Sequence, residues 1–401
     1  MSTDNSQFSA SEPALGYFYQ PRYALLQLLR LPEETVCFIE KDDDIDFTDA
    51  QEGRILASLK HKAPGDTLTD FSPDFWKSVR IWLDYYLKEN SLTSSASFFL
   101  FTTGSVAVGS FLVTFLPNAA KDESLPELVT KVLAQSKSKT IKKTKDLLET
   151  LPKDKWGDFF RRISIFDNQE RIQDIPKLII NEKLRAVRPQ FRQPVYERLE
   201  GWWNNACIEL LSGQRLEPLR GSEVSEMLSF IAEQFREDNL PIDFEYSEPE
   251  DGVNPDTDNR NFVKQLRAIG LHSDRIRRAI LDYYRAFEQR GSWLRENVML
   301  SGGELEQFDD RLVDEWARLR EIVFEELAGD SPEELLQATG RKLLNNLSTS
   351  NHPNLRIRTG VTATFVTMGS YHMLANEEAP RVHWHPRFEE KIADILYGRK
   401  P

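Results

Sequence analysis

The sequence predicts an α+β protein: a small mixed sheet flanked by helices in the N-terminal half, followed by a mainly helical C-terminal half. Three observations predict it. Residues 36–62 alternate apolar and polar residues in short runs, as strands do. Apolar stripes of helical period precede and follow that stretch. From about residue 216 onward helical periodicity dominates.

Taken in order, residues 1–13 are polar and Ser-rich and are expected to be a disordered lead-in. Residues 14–30 form a helix with Leu25, Leu28 and Leu29 on one face and an internal start or kink at Pro21. Val36–Ile39 is a first strand. Ile45 and Phe47 alternate with Asp44, Asp46 and Thr48 in a second. A turn at Gln51-Glu52-Gly53 leads through Ile55-Leu56-Ala57 into Ser58-Leu59-Lys60. Ala63–Thr69 is a loop. Ser72 is placed as an N-cap with Pro73 at the first helical position, and Phe75, Val79, Trp82, Leu83 and Tyr86 line one stripe. Ser97–Thr102 is a buried strand, and Gly104 and Gly109 flank another short one. A helical stretch follows over 122–150, then a helix, a strand at Ile163–Phe166 and a helix over 156–187, and a helix over Tyr196–Leu211 whose Trp202 and Trp203 belong to the core.

Residues two apart on a strand share a face. Asp44 and Asp46 therefore point one way, with Ile45 and Phe47 toward the core; Ser58 and Lys60 share a face of the third strand, opposite Ala57 and Leu59. If the two polar faces meet, a carboxylate lies beside an ammonium in a partly buried place. Such a pair suits phosphodiester cleavage with Mg²⁺: the carboxylate holds the metal, the metal acidifies a water, and the lysine stabilises charge growing on the phosphate. From spacing alone, a half-exposed hairpin with solvated charges is the commoner reading of such a pair. Between Glu127 and Asp146 the chain carries Lys131, Lys137, Lys139, Lys142, Lys143 and Lys145 without an acid, either a solvated face or a track for DNA phosphates.

The stretch resembles the D…(E/Q)xK core of the PD-(D/E)xK nuclease superfamily, and more closely the double-stranded-DNA endonuclease domain found as an effector in bacterial anti-phage systems. The residues that carry the resemblance are Gly16-Tyr17-Phe18-Tyr19-Gln20, Glu40 to Asp44, Ser58-Leu59-Lys60-His61 and Ser72-Pro73-Asp74-Phe75-Trp76. The resemblance implies a restriction-endonuclease-like sheet over 14–215. It also implies a catalytic set of Asp44, Lys60, Ser58 and Glu40, metal held by Asp44 and Asp46, and Gln20 as a further candidate. Ser58 stands where the family usually has Gln or Glu, and a hydroxyl is a poorer metal ligand, so either Glu40 or Asp46 compensates or the metal site is weak until the protein is rearranged.

The formal net charge of −13 disfavours a protein that coats DNA constitutively, but not a nuclease with a local basic groove. Two cysteines, Cys37 and Cys207, give no disulfide framework and no Cys-based zinc pattern. No apolar run reaches membrane-spanning length and no signal-peptide pattern begins the chain, so a bacterial cytoplasmic protein with no membrane partner is expected.

In the second half, Ser273 starts a helix through Ile276, Ile280 and Tyr284, and Leu312, Trp316, Leu319 and Val323 form a stripe. Asp243–Asn261 is an acidic loop. Ser331-Pro332-Glu333-Glu334 spells a capping box. Leu355–Arg358 and Val361–Thr367 look like strands, before a last helix from Arg387. Leu300-Ser301-Gly302-Gly303-Glu304 matches an ABC-ATPase signature, but no phosphate-cradling loop accompanies it, and a turn before a helix explains it. His383-Trp384-His385-Pro386, with His372, reads as a structural end-of-domain motif anchored by Trp384. Tyr371-His372-Met373-Leu374 and Trp384-His385-Pro386 resemble the end domain of effector subunits in ABC-three-component, or Lamassu, defence systems. That resemblance implies a partner-binding domain over 216–401, an SMC-like ATPase (LmuB) and an accessory subunit (LmuC) that restrain the effector, and a homo-oligomer, expected as a tetramer, on activation. Two other readings stay open: a decayed nuclease fold kept as an adaptor, and a standalone Type IV-like restriction enzyme.

Overall fold

The computed structural model describes residues 11–49, 53–88, 96–119, 124–295, 300, 302–350 and 353–397. The chain divides into two compact units, residues 1–231 and 232–401. The first holds α1 (Ser11–Leu28), β1 (Val36–Ile39), β2 (Ile45–Asp49), β3 (Gly53–Lys60), β4 (Thr67–Leu68), α2 (Pro73–Lys88), β5 (Ser97–Thr102) and β6 (Ser105–Val106). It continues through α3 (Leu125–Gln135), α4 (Lys139–Leu148), α5 (Lys153–Arg161), β7 (Ile163–Phe166), α6 (Ile175–Glu182), α7 (Arg192–Leu211) and β8 (Leu219–Arg220), and the division falls within α8 (Gly221–Gln234). The second unit is helical: α9 (Asn261–Ala268), α10 (Ser273–Arg295), α11 (Gly302–Phe324), α12 (Glu333–Thr349), α13 (Thr364–Asn376) and α14 (Phe388–Tyr397).

The main sheet runs β7-β5-β3-β2-β1-β8. β1, β2 and β3 form an antiparallel meander, with Ile45 opposite Ala57 and Asp49 opposite Gly53. β5 and β7 then add in parallel, as the intervening helices require. Gly53 has φ +82°, a conformation open to glycine at little cost, and it starts β3; Gln51 and Glu52 of the expected turn lie outside the described residues. α1 covers one face of the sheet: the Tyr23 ring sits 5.2 Å from Phe101, and Trp203 of α7 donates its Nε1–H to the Pro21 carbonyl at 2.6 Å. α2 and α5 cover the other face, where Phe98 stacks on Trp82 at 5.7 Å and meets Phe159 at 5.6 Å.

Five expectations change. The lead-in ends sooner, because α1 already begins at Ser11; residues 1–10 lie outside the described residues. The first unit does not stop at 215, because β8 pairs with β1, Leu219 opposite Cys37, and closes the edge of the sheet. The helical stretch over 122–150 is two helices, broken between Gln135 and Lys139. α12 begins at Glu333 with Pro332 as its N-cap and no side-chain cap; Glu333 instead accepts from Lys391 at 2.5 Å and meets His385 Nε2 at 3.0 Å. The strands expected at Leu355–Arg358 and Val361–Thr367 do not form. The first is a 3-10 turn and bends, and the second runs into α13 at Thr364. β-branched residues fit strands only where a sheet exists to pair with. α13 buries Phe365, Val366, Tyr371, His372 and Leu374 around its circumference, so its sequence lacks the one-sided stripe that marks a helix.

The end-of-domain histidines are packed side chains. His383 stacks on Phe388 at 4.7 Å, and His372 lies 5.3 Å from Phe262. Burial pushes His372 down to about 3 and His383 to about 4, so both are neutral when folded, whereas the unfolded chain takes protons on both below the usual histidine value of 6.5. Their contribution to stability is therefore complete above that value and is lost as pH falls toward the folded values. The loss is about 2 kcal/mol for each at about pH 5. Denaturant unfolding of the chain across this pH range should show it, and His372→Phe should flatten the slope.

Candidate active site

The hairpin between β1 and β2 brings the candidates together. Glu40 closes it: its N–H donates to the Asp44 carbonyl at 3.0 Å, and its backbone has φ +55°. Gln20, buried on α1, reaches over the hairpin and donates from Nε2 to Glu40 Oε1 at 2.8 Å and to Asp44 Oδ1 at 3.1 Å. The other oxygen of Asp44 accepts the Leu59 N–H at 2.6 Å, the Lys60 ammonium at 3.1 Å and the Ser58 hydroxyl at 3.3 Å. Lys60 Nζ also donates to Ser58 Oγ at 2.9 Å. The Asp44 and Lys60 side chains are 20 % and 21 % exposed, so the pair is half sheltered yet open to a ligand.

This follows from strand geometry. β2 and β3 pair with Ile45 opposite Ala57, so Asp44 at the mouth of β2 falls beside Ser58 and Lys60. The face carrying these residues is only partly solvated, because α2 covers much of it. Ser78 of α2 donates its hydroxyl to Ser58 Oγ at 2.7 Å, and Lys62 pairs with Asp74 one turn earlier on α2. Ser58 is 1 % exposed, with its oxygen shared among Lys60, Asp44 and Ser78. Where the nuclease resemblance expects a longer ligand, a short hydroxyl orients the lysine.

Asp46 stands elsewhere. It is 2 % exposed and accepts from Arg54 at 2.8 Å, a guanidinium that also holds Asp42 and donates to the Tyr85 hydroxyl at 3.0 Å. Burial raises its carboxyl to about 6 despite Arg54. Asp46 thus joins an arginine-centred group, not the hydrogen bonds around Asp44 and Lys60. Asp43, which sequence reasoning passed over, accepts the Trp82 Nε1–H at 2.5 Å and the Asp44 N–H at 2.9 Å, and burial lifts its carboxyl to about 7. Ser78 was also missed. A signal for it existed: Asp74, Ser78 and Trp82 are four apart along one helix and meet the polar side of the sheet.

Among the described residues no three His, Cys, Asp or Glu side chains converge on one point as a metal cage. The carboxylates of Glu40 and Asp44 do converge on a single amide nitrogen, so one ligand can touch both. Two carboxylates, with water and phosphate completing the shell, is the donor set Mg²⁺ uses in phosphoryl chemistry. The residues fit that ion as a hydrated guest.

Glu40 provides a test. A non-glycine residue at positive φ costs about 1 kcal/mol or more, and such outliers gather at functional sites. Glu40→Gly relieves the backbone and removes the carboxylate. Its stability is expected to equal or exceed that of the wild type by about 1 kcal/mol in denaturant unfolding, whereas a Mg²⁺ ion held at this site would lose one of its two carboxylates.

Of the lysine run, Lys131 lies on α3, Lys137 between the helices, and Lys139, Lys142, Lys143 and Lys145 on α4. All are exposed except Lys145, which is half-buried and 3.8 Å from Glu149. α4 packs on α2, with Thr144 donating to the Trp76 carbonyl at 3.0 Å, on the same helix that carries Asp74 and Ser78.

Residues 262–392 match the family model for C-terminal domain 7 of the ABC-three component systems. This supports membership of such a defence system. No curated protein matches the chain. Among solved structures, a SAVED/CARF-domain-containing receptor, Cap4 of Moraxella osloensis, is 14 % identical with a TM-score of 0.32, over 67 % of this chain and 60 % of that one. A likeness of that size fixes neither fold nor function. No helix among the described residues is long and apolar enough to cross a membrane.

Proposed function

We propose that this chain is the metal-dependent DNA endonuclease effector of a bacterial anti-phage complex, the part LmuA plays in Lamassu systems. The match over residues 262–392 supports the defence role and the existence of partner subunits. The observation that carries the nuclease reading is the contact of Asp44 with Lys60, roofed by Gln20 and Glu40.

Asp44 and Glu40 would hold Mg²⁺, which when bound supplies a Lewis acid and an acidified water. Lys60 Nζ, steadied by Ser58 Oγ and Asp44, keeps a proton free for a phosphate oxygen and offsets its growing charge. Gln20 aligns the two carboxylates, and the Leu59 N–H holds one Asp44 oxygen toward the lysine. The exposed lysines of α3, α4 and the segment between them offer phosphate contacts without reading bases, consistent with cutting that has little sequence preference. An SMC-like ATPase (LmuB) and an accessory subunit (LmuC) restrain the effector, and release lets copies assemble, as a tetramer, on double-stranded DNA.

The test is plasmid cleavage with Mg²⁺ by the purified chain, alone and with its partner subunits, for wild type and Asp44→Asn. Cutting that needs Asp44 supports the nuclease. Absence of cutting under all conditions overturns it and favours the second reading, a catalytically decayed adaptor, which the occupied Ser58 hydroxyl suits. In that case phage defence survives Asp44→Asn.

A further inference from the structure

We propose that a cavity among α10, α12 and α13 binds a guanine nucleotide, with Asp282 taking the base edge and Arg275 and Arg278 the phosphate. This goes beyond the nuclease reading and is independent of it. The cavity has a volume of about 160 Å³, comparable to the roughly 150 Å³ apolar cavity that holds one aromatic ring. Leu271, Leu344 and Met368 give it apolar walls that suit a flat heterocycle, the methionine being adaptable in shape.

Two of its charged side chains make no hydrogen bond among the described residues. Asp282 lines the cavity, is half-buried, and makes no side-chain hydrogen bond or salt bridge among the described residues. Arg278, one turn before it on α10, is exposed at the same cavity and makes no hydrogen bond or salt bridge among the described residues, although its charge acts on Asp282. Arg275, one more turn away, is held in place by Asn345 Oδ1 at 2.7 Å. His372 borders the cavity from α13, and its buried Nδ1 has no partner among the described residues. A buried polar atom left without a partner, as His372 Nδ1 is, calls for a ligand or water. The wall is rigid here. A Cβ at Gly369 would collide with the Asp282 carbonyl oxygen, so only glycine lets α13 lie this close to α10.

The chemistry selects the ligand. A carboxylate only accepts hydrogen bonds, and guanine is the base that presents two adjacent N–H donors on one edge, matching its two oxygens. Burial raises the Asp282 carboxyl to about 6, partly offset by Arg285 and Arg278, so an ionised Asp282 gains from donors brought by a ligand. Guanidinium groups on the same helix suit a phosphate.

The experiment is thermal unfolding of the full chain with GMP, XMP, AMP or inorganic phosphate, for wild type, Asp282→Asn and Arg278→Ala. In wild type, GMP should raise the midpoint in proportion to the logarithm of its concentration, with XMP, AMP and phosphate shifting it less. Asp282→Asn replaces an acceptor by a donor, so XMP, which carries a carbonyl in place of the guanine amino group, should then outrank GMP. That reversal also shows that the variant is folded. Arg278→Ala should weaken GMP by about tenfold. The proposal is overturned if GMP gives wild type no shift, if GMP, AMP and phosphate shift it equally, or if Asp282→Asn keeps the preference for GMP.

Discussion

On the proposed nuclease reading, Lys60→Ala is expected to lower Mg²⁺-dependent DNA cleavage by about 10²- to 10³-fold, the usual cost of removing one group aimed at charge that develops in the transition state. The ammonium is the cation that touches both Asp44 and Ser58, at 3.1 and 2.9 Å. Lys62, two residues on, does not take its place, since it is already paired with Asp74. Folding should survive. Asp44 keeps the Leu59 N–H, the Ser58 hydroxyl and Gln20, and the pair is open enough to water to be worth no more than about 1 kcal/mol. Cleavage rates and denaturant midpoints measured on the same preparation separate the two effects. Activity that persists within threefold of wild type would sink the role of Lys60, and a collapse in stability would make the pair structural.

The second large effect is on stability. Arg290→Met should cost the chain about 3–5 kcal/mol, because it strands a buried carboxylate. Arg290 reaches Asp309 through two parallel bonds of 2.9 and 2.8 Å and donates to the Ser370 hydroxyl at 3.0 Å, tying α10 to α11 and α13. Both side chains are about 10 % exposed, and Arg381, at 4.0 Å from Asp309, is too far to take over both oxygens. The double variant Arg290→Met with Asp309→Leu should recover much of the loss, since replacing both charges leaves no unpaired buried charge, only the Ser370 hydroxyl without its donor. Urea unfolding of the single and double variants measures it. A single variant within about 1 kcal/mol of wild type would show that water reaches the pair.

Much of the candidate site was legible in the sequence because its rule is local. Alternation at period two and a short antiparallel hairpin set Asp44 beside Lys60 whatever the rest of the chain does. The stripes of α2, α10 and α11 were equally local, since a helix declares its buried face at 3.6-residue spacing. Tertiary structure decided the rest. Asp44 and Asp46 are equivalent by alternation, yet Arg54, across β3, draws Asp46 into another group. Ser58 looked like a lost ligand, and only the approach of α2 shows its hydroxyl held by Ser78 and turned to the lysine. β8 joins the sheet from about 180 residues downstream, and the β-branched residues of α13 sit in a helix in a unit with no strand among its described residues to pair with. The residues' own spacing determined which could be neighbours; partners distant in sequence determined which of them became so, because burial and pairing energies come from non-local contacts.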